Sequence, residues 1–173
     1  MSGLYVLPLS GLKEGRHTYN FEIGESFFGQ FEGSEITDGD LASCVDIDRH
    51  ASHIDMRIKI SGTVKVSCDR CLEIFSQPVD CENRLLVRLG SDWKDDDPDM
   101  ITIPADEHEC DISQYLYEFI QLSLPIQRVH PVDASGKSTC DPDMLKKINE
   151  HAVNEEKNID PRWDELKKLM NNN

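Results

Sequence analysis

Hydrophobic positions in the first two-thirds of the chain recur every second residue more often than at a helical period. Val45, Ile47, Ile54, Met56, Ile58, Ile60, Val64 and Val66 take alternate positions within their runs between Ala42 and Val66. That is the pattern of strands with one buried face. Ser61-Gly62 lies between two such runs and reads as a tight hairpin turn, and His50–His53 as a looser break. Earlier, Leu4–Leu9 reads as a short apolar strand, and Tyr19, Phe21 and Ile23 alternate with polar residues. Phe27, Phe28 and Phe31 follow, with Gly29 and Gly33 leaving the end of that run undefined. A further strand spans about Ile74 to Leu89, with Arg84 and Arg88 interleaved among Leu85, Val87 and Leu89. Three such strands in succession imply an antiparallel meander with at least one face covered.

The cover follows after a short strand at Ile101–Ile103. Asp111 suits the N-cap of a helix over Ile112–Ser123. Ile112, Leu116, Phe119 and Ile120, with Tyr115 and Leu122 alongside, form its apolar stripe, and Pro125 ends it. The expected fold is α+β: an antiparallel meander sheet, curled towards a barrel, covered by one main helix, with short helices at the C-terminus. The sheet and helix would occupy residues 1–131. Residues 132–139 (VDASGKST) are linker-like, so 132–173 reads as a linker and helical tail. Its two helices open at Asp141-Pro142 and Asp160-Pro161, each an Asp cap followed by a first-turn proline. The second carries Trp163, Leu166, Leu169 and Met170 on one face, suited either to packing on its own domain or to docking in a partner's groove.

Charge narrows the partners. The net charge is −15, yet residues 55–90 hold six basic residues against five acids, while 91–111 hold nine acids and one lysine. Such a chain repels polyphosphate at long range and attracts basic partners. Direct RNA contact would have to use Arg57, Lys59, Lys65, Arg70, Arg84 and Arg88. Phe75 is the sole aromatic of that segment, so base stacking is poorly supplied, and pairing with Asp55, Glu73 and Glu82 competes. The acidic stretch 92–99 lacks the glycine and carboxylate spacing of a calcium loop. No apolar run is long enough to span a bilayer, and the N-terminus, broken by Pro8, does not read as a secretory signal. Nothing points to a small-molecule substrate or to catalysis.

Six cysteines in a chain of this length point to a reducing cytosol rather than a disulfide framework. Cys68-Asp69-Arg70-Cys71 is half of a tetrahedral metal site, two soft ligands on a knuckle at the end of a strand. Reduced thiols in a strand turn are the plainer reading of the pair; in the metal reading His130 and Cys140 are the candidates to complete a Cys3His zinc site, with Cys81 and Cys110 as competitors. A redox role fits poorly, because the pair does not open a helix and Asp69 adds negative charge.

Three segments in order, CDRCLE (Cys68–Glu73) after Gly-Thr-Val-Lys-Val, DISQYLYEFIQLSLPIQRVHP (Asp111–Pro131) and DPRWDELKKL (Asp160–Leu169), resemble the YceD family. These are the large ribosomal RNA subunit accumulation proteins of bacteria and plastids. The resemblance implies a cytoplasmic, non-enzymatic factor supporting build-up of 23S-type rRNA and ribosome assembly, with ribosomal or assembly proteins, or rRNA itself, as partners. Many members of the family carry a second Cys-x-x-Cys after the Val-His-Pro stretch. Here it is absent and Cys140 stands alone after His130, so Cys68 and Cys71 match the family's pattern and the other two depart from it.

Overall fold

The computed structural model describes residues 5–9, 11–90, 100–104 and 107–152. Its elements, in chain order, are β1 (Val6–Pro8), β2 (Gly15–Ile23), α1 (Glu25–Phe28), β3 (Asp38–Arg49), β4 (His53–Ser67), β5 (Ile74–Leu89), β6 (Met100–Ile103), β7 (Glu109–Asp111), α2 (Ser113–Ser123) and α3 (Pro142–His151). The alternation read from the sequence becomes one face of a five-stranded sheet, ordered β2-β3-β4-β5-β6. Ile54, Met56, Ile58, Ile60, Val64 and Val66 of β4 are buried beside Val45 and Ile47 of β3 and Leu85 and Val87 of β5. Each of these side chains contributes about 1.5–3 kcal/mol on leaving water, which locks the register because a one-residue slip would turn the whole set outward.

The cover comes from three elements. Leu7 of β1, Phe27 and Phe28 of α1, and Leu116 and Ile120 of α2 are buried against the sheet in one core. β1 pairs antiparallel with β7, setting Leu7 opposite Cys110. The Phe27 ring meets Tyr5 at 4.7 Å and Phe31 at 5.2 Å, and Phe31 stacks on Tyr117 of α2 at 4.0 Å, joining the two helices. α2 starts one residue later than expected, with Ile112 at the cap position, and Asp111 just before it accepts from the Ser113 N–H through Oδ1 at 2.8 Å. Asp141 is the N-cap of α3, as expected, accepting from the Asp143 N–H at 3.0 Å. The Asp160-Pro161 helix and the acidic stretch 92–99 lie outside the described residues.

Four expectations are corrected. The sheet does not close into a barrel: β2 and β6 stand at its two edges, and β6 runs parallel to β5, so the meander ends in a parallel pair. The main helix is accompanied by α1, whose four residues are too few to show a helical period; α3, by contrast, opens at Asp141-Pro142 as expected. Leu122 is exposed rather than on the buried stripe of α2. The hairpin is not at Ser61-Gly62. β4 runs unbroken through both residues, and the turn lies at His50–His53, where the His50 N–H donates to the His53 carbonyl at 2.9 Å. Gly62 serves a different need. Its φ is +143°, and a Cβ there would sit 2.2 Å from the Asp40 carbonyl oxygen. The glycine therefore marks a close approach of two backbones within the sheet rather than a corner. Among the described residues, no helix is long and apolar enough to cross a membrane.

Candidate metal centre

The inward alternation of β4 continues one step past its end, so Cys68 enters the protein beside Val66 and is fully buried. Cys68 to Glu73 then form a knuckle before β5. The Leu72 N–H donates to the Cys68 carbonyl, and the Cys68 N–H to the Glu73 carbonyl, each at 2.9 Å. This closure folds Cys71 back towards Cys68 and forces Leu72 to φ +65°.

The second half of the cluster arrives from far along the chain. After α2, the irregular segment around Arg128 is clamped to the knuckle. The Asp69 N–H donates to the Arg128 carbonyl at 2.8 Å, and the Asp69 carboxylate accepts the Arg128 N–H at 2.6 Å. The Arg128 guanidinium reaches Asp69 at 3.5 Å and pairs with Glu35. His130 is thereby laid over the knuckle, its ring 4.7 Å from that of Phe75. Residues 132–139 form a tight turn. The Asp133 carboxylate accepts from the Ser135 and Lys137 N–H groups, Gly136 takes φ +79°, and Val132 bridges Ser138. The turn returns Cys140 to the core, where it is buried.

The Cys68 and Cys140 sulfurs are 3.8 Å apart, and the Cys71 sulfur is 3.4 Å from His130 Nδ1. A tetrahedral zinc with ordinary bond lengths would place two sulfurs ~3.8 Å apart and a sulfur and a nitrogen ~3.6 Å apart. All four ligand atoms lie within 4.8 Å of one another, the one such group among the described residues. Burial pushes the Cys68 thiol up, but the N–H groups of Cys71, Arg70 and His130 outweigh it and hold the thiol down to about 6. Burial raises Cys71, which also faces the Cys68 and Cys140 sulfurs. The backbone N–H groups thus favour a thiolate at Cys68, while the neighbouring sulfurs oppose charge at Cys71, an opposition that a bound cation would offset. The donor set fits zinc.

The competing cysteines lie elsewhere. Cys81 donates to the Phe119 carbonyl under α2 at 3.9 Å, and the Cys110 thiol is pushed up to about 11, first by burial and then by Asp111. The basic residues of 55–90 divide. Arg57, Lys59, Lys65, Arg84 and Arg88 lie on β4 and β5, whereas Arg70 sits in the knuckle. Arg57 and Lys59 share Glu82 at 3.2 and 3.5 Å, Arg84 pairs with Asp55, and Lys65 donates to Ser76 at 2.7 Å. Trp163, Leu166 and Leu169 lie outside the described residues. The clamp of Glu35, Asp69 and Arg128 had no sequence signal, since Glu35 and Arg128 are 93 residues apart.

An open sheet crossed by a helix, with a Cys3His cluster where a strand turn meets the segment beyond that helix, defines a small α+β protein with a metal-type knuckle. The chain belongs to the YceD family: the model of the large ribosomal RNA subunit accumulation protein YceD matches residues 56–170, which include all four cluster residues. Membership carries a role in large-subunit rRNA accumulation. No curated protein and no solved structure matches the chain.

Proposed function

We propose that this protein is a non-enzymatic cytoplasmic factor that supports large-subunit rRNA accumulation by binding ribosomal or ribosome-assembly proteins. The observation that carries this reading is the net charge of −15 in a member of a ribosome-linked family. A surface of that sign is attracted to cationic ribosomal proteins and repelled by bare rRNA. The pairing of Arg57, Lys59 and Arg84 with carboxylates supports protein contact over direct RNA contact through the β4 and β5 face. Trp163, Leu166 and Leu169 would supply a second, apolar contact. Cys68, Cys71, His130 and Cys140 hold a structural zinc, which fastens residues 130–140 to the β4–β5 knuckle.

Recovery of tagged protein at low salt should enrich ribosomal proteins or precursor particles. Recovery of neither abandons the reading. Charge reversal at Lys59, Lys65, Arg84 and Arg88 should leave any rRNA association intact; its loss would favour direct RNA binding instead. Elemental analysis should find one zinc per chain, lost in Cys68→Ser. A preparation refolded with zinc that remains empty removes the metal from the account.

A further inference from the structure

The knuckle carries a feature that neither zinc nor the core requires. Leu72 occupies the left-handed region at φ +65°, which a branched side chain enters only at a cost and a glycine enters freely. The bulky side chain gains little from the fold in return, because Leu72 is 69% exposed. Strain and exposure at one apolar residue point to a gain made outside the chain.

Leu72 is not isolated. Among the described residues six large apolar side chains are exposed, and Leu72, Ile74, Ile126 and Val132 are four of them. Ile74 begins β5 directly after the knuckle. Ile126 lies two residues before Arg128, whose backbone is hydrogen-bonded to Asp69. Val132 lies two residues beyond His130, whose ring touches Cys71. All four therefore belong to the chain segments that the clamp and the cluster fasten together, 72–74 on one side and 126–132 on the other. The charges around them are mainly acidic. In the same segments Glu73, Asp133, Asp141 and Asp143 outnumber Arg70 and Lys137, and Arg128 is already held by Glu35 and Asp69.

We infer that the outer side of the knuckle is a docking surface for a basic protein segment that carries one or two large apolar side chains. The inference rests on the protein-binding function proposed above and assigns it a place on the molecule. Leu72 and Ile126 are the apolar contacts, and the acidic rim selects a cationic partner over nucleic acid. The metal-type cluster keeps the two chain segments that bear the surface in register.

The test uses the full-length, zinc-loaded chain and two sets of probes: RNA-free, individually purified basic proteins of the large ribosomal subunit, and 23S-type rRNA fragments. At least one of the proteins should bind. Leu72→Gly and Ile126→Ser should each weaken that binding about tenfold. Leu72→Gly should keep its zinc and unfold at the same or a higher denaturant midpoint, since glycine relieves the backbone. If Leu72→Gly fails to fold or loses zinc, Ile126→Ser, at a fully exposed position, decides the matter. Unchanged protein binding in Ile126→Ser and in a folded Leu72→Gly overturns the docking surface and leaves the proposed function standing. Weakened binding of rRNA alone overturns it in favour of a nucleic-acid surface. Failure of every ribosomal protein to bind the unaltered chain overturns this surface and the proposed function together.

Discussion

Replacing Gly62 by alanine tests the sheet that carries the knuckle. Two costs add at this position. An alanine at φ +143° is outside the regions open to L-residues, a penalty of about 1–3 kcal/mol. Its methyl would also lie 2.2 Å from the Asp40 carbonyl oxygen and 2.8 Å from Leu41 Cα. Both are backbone atoms and cannot swing aside, so β3 and β4 must part by about 1 Å to reach ordinary contact near 3.4 Å. Weakening one or two ladder hydrogen bonds costs a further ~1 kcal/mol each. The expected loss is roughly 2–5 kcal/mol, a large fraction of the ~5–15 kcal/mol that holds a domain together. Gly136→Ala is the control: its φ is +79° but a Cβ there meets nothing within 4 Å, so only the conformational penalty of about 1 kcal/mol applies. Urea unfolding followed by circular dichroism, at fixed zinc, measures both. If the two variants lose the same stability within about 0.5 kcal/mol, the close approach at Gly62 is wrong and the glycine belongs to an open turn.

Three further outcomes follow from particular contacts. Ser43 is buried in β3 and its hydroxyl has no hydrogen-bond partner among the described residues, so Ser43→Ala should raise the urea midpoint, by up to ~1–2 kcal/mol; a loss of stability would refute this. Arg128→Ala removes the guanidinium contacts to Asp69 and Glu35 without touching a ligand, and competition with a chromophoric chelator should find zinc affinity lowered about tenfold while stoichiometry is kept; unchanged affinity would mean that the two hydrogen bonds of the Arg128 backbone to Asp69, with the turn at 132–139, suffice to position His130. The Cys110 thiol, raised to about 11 chiefly by burial, should resist iodoacetamide at pH 8 in the folded protein and react on unfolding. Because its folded-state value lies above the unfolded one, its contribution to stability is complete below pH ~8.5 and falls between there and pH ~11. Rapid alkylation of the native protein would contradict that burial.

The strands of the central sheet were legible because alternation is a local record of which side chains leave water. Val45 to Val66 could be assigned to one face without knowing what covered it. Turn placement was less legible. Ser-Gly is common turn chemistry, but a glycine is equally required where two strands crowd, and the sequence around Gly62 does not distinguish the two cases. α1 escaped notice because four residues show no helical period, although Phe27 and Phe28 lie at the centre of the core. Of the cluster, Cys68 and Cys71 were plain from spacing alone. His130 and Cys140 could be named only as candidates, and Glu35 and Arg128 not at all.

Local free energies along the chain were therefore enough to set the strands, the helix cap at Asp141, the acidic balance and the half-site knuckle. Each depends on residues within a few positions of one another, where pattern and conformation are directly linked. Whether the sheet closed, where its hairpin turned and which groups met Cys68 and Cys71 were decided by tertiary packing. Cys140 meets Cys68 across 72 residues of sequence because the Asp69–Arg128 clamp and the turn at 132–139 bring it back. A contact of that kind is the product of many intervening interactions, and no spacing in the sequence records it.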